Sequence, residues 1–407
     1  MKGPWERVVI TGVGAVSPFG LGADLLCAKI GQGECALGPL PGGDRVKDLG
    51  VKAAGLVPEI DAKSIPRTFR RSMSPMGIFA CLAAREALSN ARLEDYPHDM
   101  GLAVGTTMGS PQTMTEFFSE YLSRNGFGNL RSTTFFKIMG HGVASSLALS
   151  LGLTGRTLAP SAACVAGLLA IGLGYETIAS GRAQVLLCGG AEEFDVLTAL
   201  TFDHILAASH HPDPAKASRP FDLDRDGLVC SEGAGLLVLE SLPQALSRRA
   251  PIVAEITGFA TNTAPANLVH PDSESIAQCM AQALDDSGLT AADVQAINAH
   301  ATATVEGDRA EGRAIEKIFG SQTPVNSFKG QLGHTMAASG ALELILSISM
   351  MNNNCFLPTR NLETIDPECG SLRLPKESQK CMISAIMKNS FALGGVNASL
   401  IIEKYEA

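Results

Sequence analysis

The sequence predicts a mixed α/β fold in which two similar halves share one core. Three observations carry this expectation. Strand-like runs alternate with helix-like ones along the whole chain. The second half repeats the order of elements seen in the first, the mark of an internal duplication. Composition joins 45% hydrophobic residues to 18% charged and 5% aromatic ones, with 42 glycines. That mix suits a large core of small and aliphatic side chains in which backbone often approaches backbone.

Taken in order, RVVITGVGAV from Arg7 reads as a first strand closing on glycines. Residues 76–91 are helix-like, GLAVGTTMGS from Gly101 is a strand running into a loop, and AQVLLCGGAEE from Ala183 is a β-rich run with a glycine turn. GAGLLVLES from Gly233 completes the first set. The grammar then restarts. PIVAEITGFATNT from Pro251 resembles the first strand, and SIAQCMAQALDDSG is an amphipathic helix ending at Gly288. VQAINAHATAT is a buried strand spilling into a polar loop, and the terminal CMISAIMKNSFALGGVNASLIIEKY gives two strands around a Gly-Gly turn. The expected halves are residues 1–250 and 251–407.

The chain has 407 residues, 32 Lys and Arg against 41 Asp and Glu, and a net charge of −9, so a generalised nucleic-acid surface is not expected. The apolar start is rich in Val, Ile and Gly rather than Leu, which reads as a strand and predicts an unprocessed cytoplasmic protein. The uncharged stretch between Arg156 and Glu176 holds Pro160, Gly167, Gly172 and Gly174, so it reads as a buried element and no membrane span is expected. Ten cysteines are scattered without CxxC spacing, which predicts reduced thiols and neither a disulfide framework nor structural zinc.

Four residues stand out as chemistry. Cys164, in APSAACVAGLLAIGLGYETIASG, is placed at the first turn of a buried helix, where free N–H groups and the positive dipole end favour a thiolate. Taken alone, a cysteine in such a run reads first as a small core thiol. His300 ends an apolar strand before Thr-rich turns, and His334 follows Lys329 by five residues in a loop leading to an apolar helix. Each has a bland alternative: a core histidine bonded to backbone, or a solvated lysine. Arg67, Arg70 and Arg71 form a local basic cluster in PRTFRRSM on an otherwise acidic chain.

Together, six segments resemble one family in that family's order: RVVITGVGAVSPFG, the stretch around Cys164, SRPFDLDRDGLVCSEGAGLLVLE, INAHATATVEGDRAE, KGQLGHTMAASGALE and NSFALGGVNASLI. The sequence is similar to the β-ketoacyl-[acyl-carrier-protein] synthases of the condensing-enzyme superfamily. The resemblance implies a duplicated thiolase-like fold with five α-β-α-β-α layers. It implies Cys164 as the acyl-accepting nucleophile, His300 and His334 as partners and Lys329 as electrostatic support. Glu343, Asp308 and Glu311 would order the site. Backbone N–H groups of Cys164 and Leu393 would hold an oxyanion, with Phe391 and Leu393 at the acyl-pocket gate. The implied partner is an acyl carrier protein, docked on Arg67, Arg70 and Arg71. The chain would work as a homodimer or as a heterodimer with a chain-length factor. No metal and no organic cofactor is implied.

Departures are informative. Leu393 stands where the family's fatty-acid members have a second Phe, Ala301 and Ala303 replace glycines, and Ser231 replaces a glycine of Gly-Glu-Gly-Ala-Gly. None removes a catalytic group, and together they point to a specialised polyketide or polyene pathway. A thiolase would carry a second cysteine in the C-terminal glycine loop, and NSFALGGVN has none. An enzyme that starts chains from acyl-CoA would have Asn in place of His334. The remaining alternative is a non-catalytic, chain-length-factor-like partner subunit.

Overall fold

The computed structural model describes residues 5–43, 46–126, 128, 130–264 and 271–406. Ten strands organise it: β1 (Val8–Ser17), β2 (Gly101–Gly105), β3 (Thr157–Leu158), β4 (Val185–Glu192), β5 (Gly233–Ser241), β6 (Ala254–Thr263), β7 (Ala296–Asn298), β8 (Val325–Asn326), β9 (Ala385–Phe391) and β10 (Val396–Glu403). They run β8-β7-β9-β10-β6-β1-β5-β4-β2-β3 in one continuous sheet, with the short strand Gly20–Leu21 added on β1. Each five-strand half has the same order. In the first, β2 is parallel to β3 and β4, while β4–β5 and β5–β1 are antiparallel. In the second, β7 is parallel to β8 and β9, while β9–β10 and β10–β6 are antiparallel. The halves join where Val8, Val9 and Ile10 pair with Ile256, Glu255 and Ala254.

The principal helices repeat as well. α1 (Pro75–Asn90) follows β1 as α3 (Ser273–Ser287) follows β6. α2 (Ala166–Ala179) precedes β4 as α5 (Ser339–Asn352) precedes β9, and α4 (Val305–Phe319) lies between β7 and β8. Local signals set the ends. Ser74 accepts from the Gly77 N–H ahead of Pro75, and Asp272 accepts from Glu274 and Ser275. Gly288 closes α3 with φ 74°.

Strand alternation distributes the apolar side chains between layers. On β5, Leu236 and Val238 pack outward with Met76, Ala80 and Leu88 of α1. Leu237 and Leu239 pack inward with Leu168 and Ile171 of α2 and Leu342 and Leu346 of α5. On the other half, Ile386, Leu400 and Ile402 join that same inner cluster. Met387 and Ile401 face the outer one, with Ile276 and Met280 of α3 and Ile315 of α4. The result is helices, sheet half, the α2/α5 layer, sheet half, helices. Each fully buried Leu or Ile contributes roughly 1.5–3 kcal/mol, so α2 and α5, shared by both halves, weld them into one core.

The tight join has a steric origin. A Cβ on Gly167 of α2, or on Gly190 of β4, would lie 2.2 Å from the Ala337 carbonyl oxygen. A Cβ on Gly340 of α5 would lie 2.6 Å from the Leu168 nitrogen. Only glycine permits the two helix starts and β4 to meet this closely.

Candidate active site

The starts of α2 and α5 carry the same local device. A single 3₁₀ turn precedes each helix, Ala163–Val165 and Met336–Ala338, and the first residue of each is left-handed, with φ 47° at Ala163 and 47° at Met336. Such a conformation is strained for a residue with a Cβ and persists only where the surrounding structure holds it. In the first half that next residue is Cys164; in the second it is Ala337. Cys164 thus sits in the turn before the helix rather than in its first regular turn.

His300 arrives from the end of β7. Glu311 of α4 fixes it from behind, accepting the His300 N–H at 2.8 Å and the Ala301 N–H at 2.7 Å. His334 is held by backbone: its N–H donates to Val229 O at 2.8 Å, and its carbonyl accepts from Ser231 at 2.9 Å. Ser231 also donates its hydroxyl to the Gly55 carbonyl at 2.9 Å, so the serine at this glycine position ties the His334 segment to a neighbouring loop.

The three chemical groups converge. The Cys164 sulfur and a ring nitrogen from each of His300 and His334 lie within 4.8 Å of one another, all buried. The rings stand at 80° with centroids 5.2 Å apart, and Phe391 meets His300 edge-on at 6.1 Å. His300 Nδ1 and both His334 nitrogens have no protein partner, so they are available to a bound molecule. All three groups, with Phe391, Leu393 and Glu311, line a cavity of about 270 Å³. Leu393 is 42% exposed, at the mouth.

Beneath the rings lies a buried ionic cluster. Glu343 bridges two lysines, with Lys329 Nζ 2.6 Å from Oε1 and Lys388 Nζ 2.5 Å from Oε2, and both lysines are fully buried. Burial works to raise the Glu343 pKa, yet the two ammonium groups bring it below the usual carboxylate value. Burial, reinforced by Lys329, His334 and Lys388, holds His300 well below its ordinary value; burial with both lysines does the same to His334. Both rings are therefore neutral at pH 7. Three donors this close can also surround a soft cation, but the two ammonium groups oppose one.

Cys164 departs from the expectation of a thiolate. Desolvation pushes its pKa up to about 12 against the pull of Lys329 and of its own backbone N–H. One 3₁₀ turn offers too little positive charge to offset complete burial, so the resting group is a thiol.

The other expected residues occupy distinct places. Asp308 accepts from Phe221 N at 2.8 Å and Ala303 N at 3.1 Å and faces Arg225 at 3.6 Å. Burial lifts its pKa to about 7 although Arg225 works against this. Glu343 holds lysines rather than loop backbone. Arg67, Arg70 and Arg71 lie on and just after the short helix Arg67–Arg70, outside the cavity lining, and Arg70 donates to Ala62 O at 2.8 Å. Lys388 and Arg225 are not among the residues singled out from sequence. Lys388 carries a signal, being a lysine in the inward register of β9 two residues after core Ile386. Arg225 clamps the loop after His300, donating to Thr304 O and Val305 O and pairing with Asp366 at 2.8 Å.

A thiol that can hold an acyl group, beside two neutral rings that can donate N–H to an enolate oxygen, defines a condensing acyltransferase on a duplicated thiolase-like fold. The chain belongs to the beta-ketoacyl synthase family, whose N-terminal domain matches residues 5–245 and C-terminal domain residues 253–363. It is 33% identical to 3-oxoacyl-[acyl-carrier-protein] synthase 2 of Synechocystis, over 98% of this chain and 99% of that protein. It is 31% identical to 3-oxoacyl-[acyl-carrier-protein] synthase 1 of Escherichia coli, over 98% and 99%. Among solved structures, a beta-ketoacyl synthase from Burkholderia phymatum superposes with a TM-score of 0.95 at 37% identity, covering 98% of this chain and 100% of that one. The ishigamide ketosynthase/chain length factor gives 0.92 at 30%, covering 99% and 100%.

Proposed function

We propose that this chain performs the decarboxylative Claisen condensation of malonyl-acyl carrier protein with an acyl chain held on Cys164, yielding β-ketoacyl-acyl carrier protein. The observation that carries the reading is the meeting of Cys164, His300 and His334 within 4.8 Å in a buried cavity. In the first half-reaction the Cys164 sulfur attacks the acyl thioester, the carrier thiol leaves, and the Cys164 proton passes to it. In the second, the malonyl carboxylate departs as CO₂ and the electron pair moves to the thioester oxygen. N–H groups of His300 and His334 meet that charge, and one such preorganised donor is worth on the order of 3 kcal/mol. The enolate carbon then attacks the Cys164 thioester, and the oxyanion is met by backbone N–H groups of Cys164 and Leu393. Collapse expels the Cys164 thiolate, which takes up a proton from solvent to restore the thiol.

Lys329, held by Glu343, supports the rings electrostatically; Asp308 and Glu311 order the loop after His300, and Phe391 with Leu393 gates the acyl side. The two halves, 1–250 and 251–407, act as one unit. The acyl carrier protein is the partner, with Arg67, Arg70 and Arg71 as its dock. A second subunit, a copy or a chain-length factor, is supported by apolar side chains left exposed on the helices Pro111–Arg124 and Ser132–Ile138, among them Phe118, Leu122, Phe135 and Phe136. Leu393 in place of an aromatic gate supports a specialised pathway. No helix among the described residues is long and apolar enough to cross a membrane.

Mass spectrometry after incubation with an acyl-carrier protein tests the reading. An acyl adduct on Cys164 is expected, lost in Cys164→Ala; an unmodified wild-type protein would instead mark a partner subunit without chemistry. A panel of primers tests the pathway, which is overturned if ordinary saturated fatty-acyl primers prove best.

A further inference from the structure

We propose that Lys388 is a positioning residue for the His300/His334 pair, taking the second oxygen of Glu343 so that the Lys329 ammonium stays only half-neutralised beneath the two rings. The inference rests on the condensation reading above.

Two fully buried ammonium groups share one carboxylate, at 2.6 Å and 2.5 Å. Burying an ion costs several kcal/mol even after relaxation, so a purely structural pair needs one lysine, not two. Among the described residues Lys388 makes one other hydrogen bond, donating to the Asn389 carbonyl at 2.7 Å. Among the described residues, the charged and titratable groups around the rings are Cys164 from the nucleophile turn, Cys230 bridged by backbone to His334, Lys329, Glu343 of α5, Lys388 of β9 and Glu311 of α4, with Glu192 of β4 acting on Cys164. Glu311 is engaged by the N–H groups of His300 and Ala301 and by the Asn389 amide. Glu343 is therefore the carboxylate in direct contact with both lysines, while Glu311 acts on them from farther off, and the second ammonium makes the field under the imidazoles more positive.

That field does two things at a distance. It opposes protonation of both rings, so each keeps a nitrogen free for substrate, and it favours negative charge growing on the thioester oxygen. Lys388 does not line the cavity, so it acts without occupying substrate space. Burial brings its own pKa down to about 8, despite the pull of Glu343, so the field is present below that pH and fades above it.

The test compares wild type with Lys388→Met, which removes the charge while leaving Glu343 paired to Lys329, and with Lys388→Arg, which keeps it. Lys388→Gln is a second neutral variant should the Met substitution fail to fold. CO₂ release from malonyl-carrier protein is followed from about pH 4 to 9, alongside NMR titration of the two rings over the same range. The neutral variants are expected to lose about tenfold in kcat near neutrality with KM little changed. Their acid limb and ring pKa values should move up by about half a pH unit or more, and Arg should restore both. A Lys388→Met profile and ring titration that superimpose on wild type would overturn the proposal, as would equal losses in Met and Arg. If wild type itself neither releases CO₂ nor takes an acyl group, the condensation reading fails, while the ring titrations still decide the role of Lys388.

Discussion

The His300 ring stands at 80° to the His334 ring with centroids 5.2 Å apart, edge to face instead of stacked, and a nitrogen of each lies within 4.8 Å of the other and of the Cys164 sulfur. Two N–H donors can then share one developing oxyanion. Replacing either ring with alanine should lower CO₂ release by roughly 10²–10³-fold. Alkylation of Cys164 by iodoacetamide should stay within a few-fold of wild type in both variants. Parallel loss of alkylation and decarboxylation would point to collapse of the site rather than loss of a donor.

The Cys164 thiol, pushed up to about 12 by burial, should titrate well above neutrality. Its alkylation rate is expected to climb steadily with pH and to show no plateau below about pH 9. Lys329 favours the thiolate, so Lys329→Met should slow alkylation at every pH. A plateau near pH 7 in wild type would show that the resting group is already ionised.

Ala303 is buried with φ 69°, a left-handed conformation in the loop that follows His300. The Cβ costs roughly 1–2 kcal/mol there, and glycine's greater freedom in the unfolded chain returns part of any gain. Ala303→Gly should therefore be neutral to about 1 kcal/mol stabilising in urea unfolding, and Ala303→Val strongly destabilising. A loss of stability in the glycine variant would show that the methyl packs favourably.

Arg70 is tied to the Ala62 carbonyl, so charge reversal there disturbs the fold locally; Arg67 and Arg71 are exposed. The double variant Arg67→Glu/Arg71→Glu should raise KM for carrier-bound substrate several-fold, an effect that shrinks with added salt, and should spare Cys164 alkylation. Equal loss in both assays would assign the cluster a structural role.

Much of the fold was legible because its signals are local. The run from Arg7, the helix expected over 76–91 and the strands flanking Gly394–Gly395 appear as Val8–Ser17, Pro75–Asn90, Ala385–Phe391 and Val396–Glu403. The positions of Cys164, His300 and His334 were legible through motifs. The state of the thiol was not, because desolvation depends on everything packed around it. Lys388 was hidden for the same reason: in sequence it is a lysine at a strand centre, and only its register and the arrival of Glu343 from α5 make it a buried partner.

The sequence by itself determined the alternation of strands and helices, their repetition and the identity of the reactive side chains, all encoded in neighbours along the chain. That one half carries the thiol and the other both imidazoles was also legible in sequence. The tertiary structure decided that the turn before α2 presents Cys164 where its counterpart before α5 presents Ala337, and that the second half's imidazoles and ammonium groups gather around that thiol. It also decided which of these groups carry charge, because charge in a dry interior is set by distance and burial, and neither is written in the order of residues.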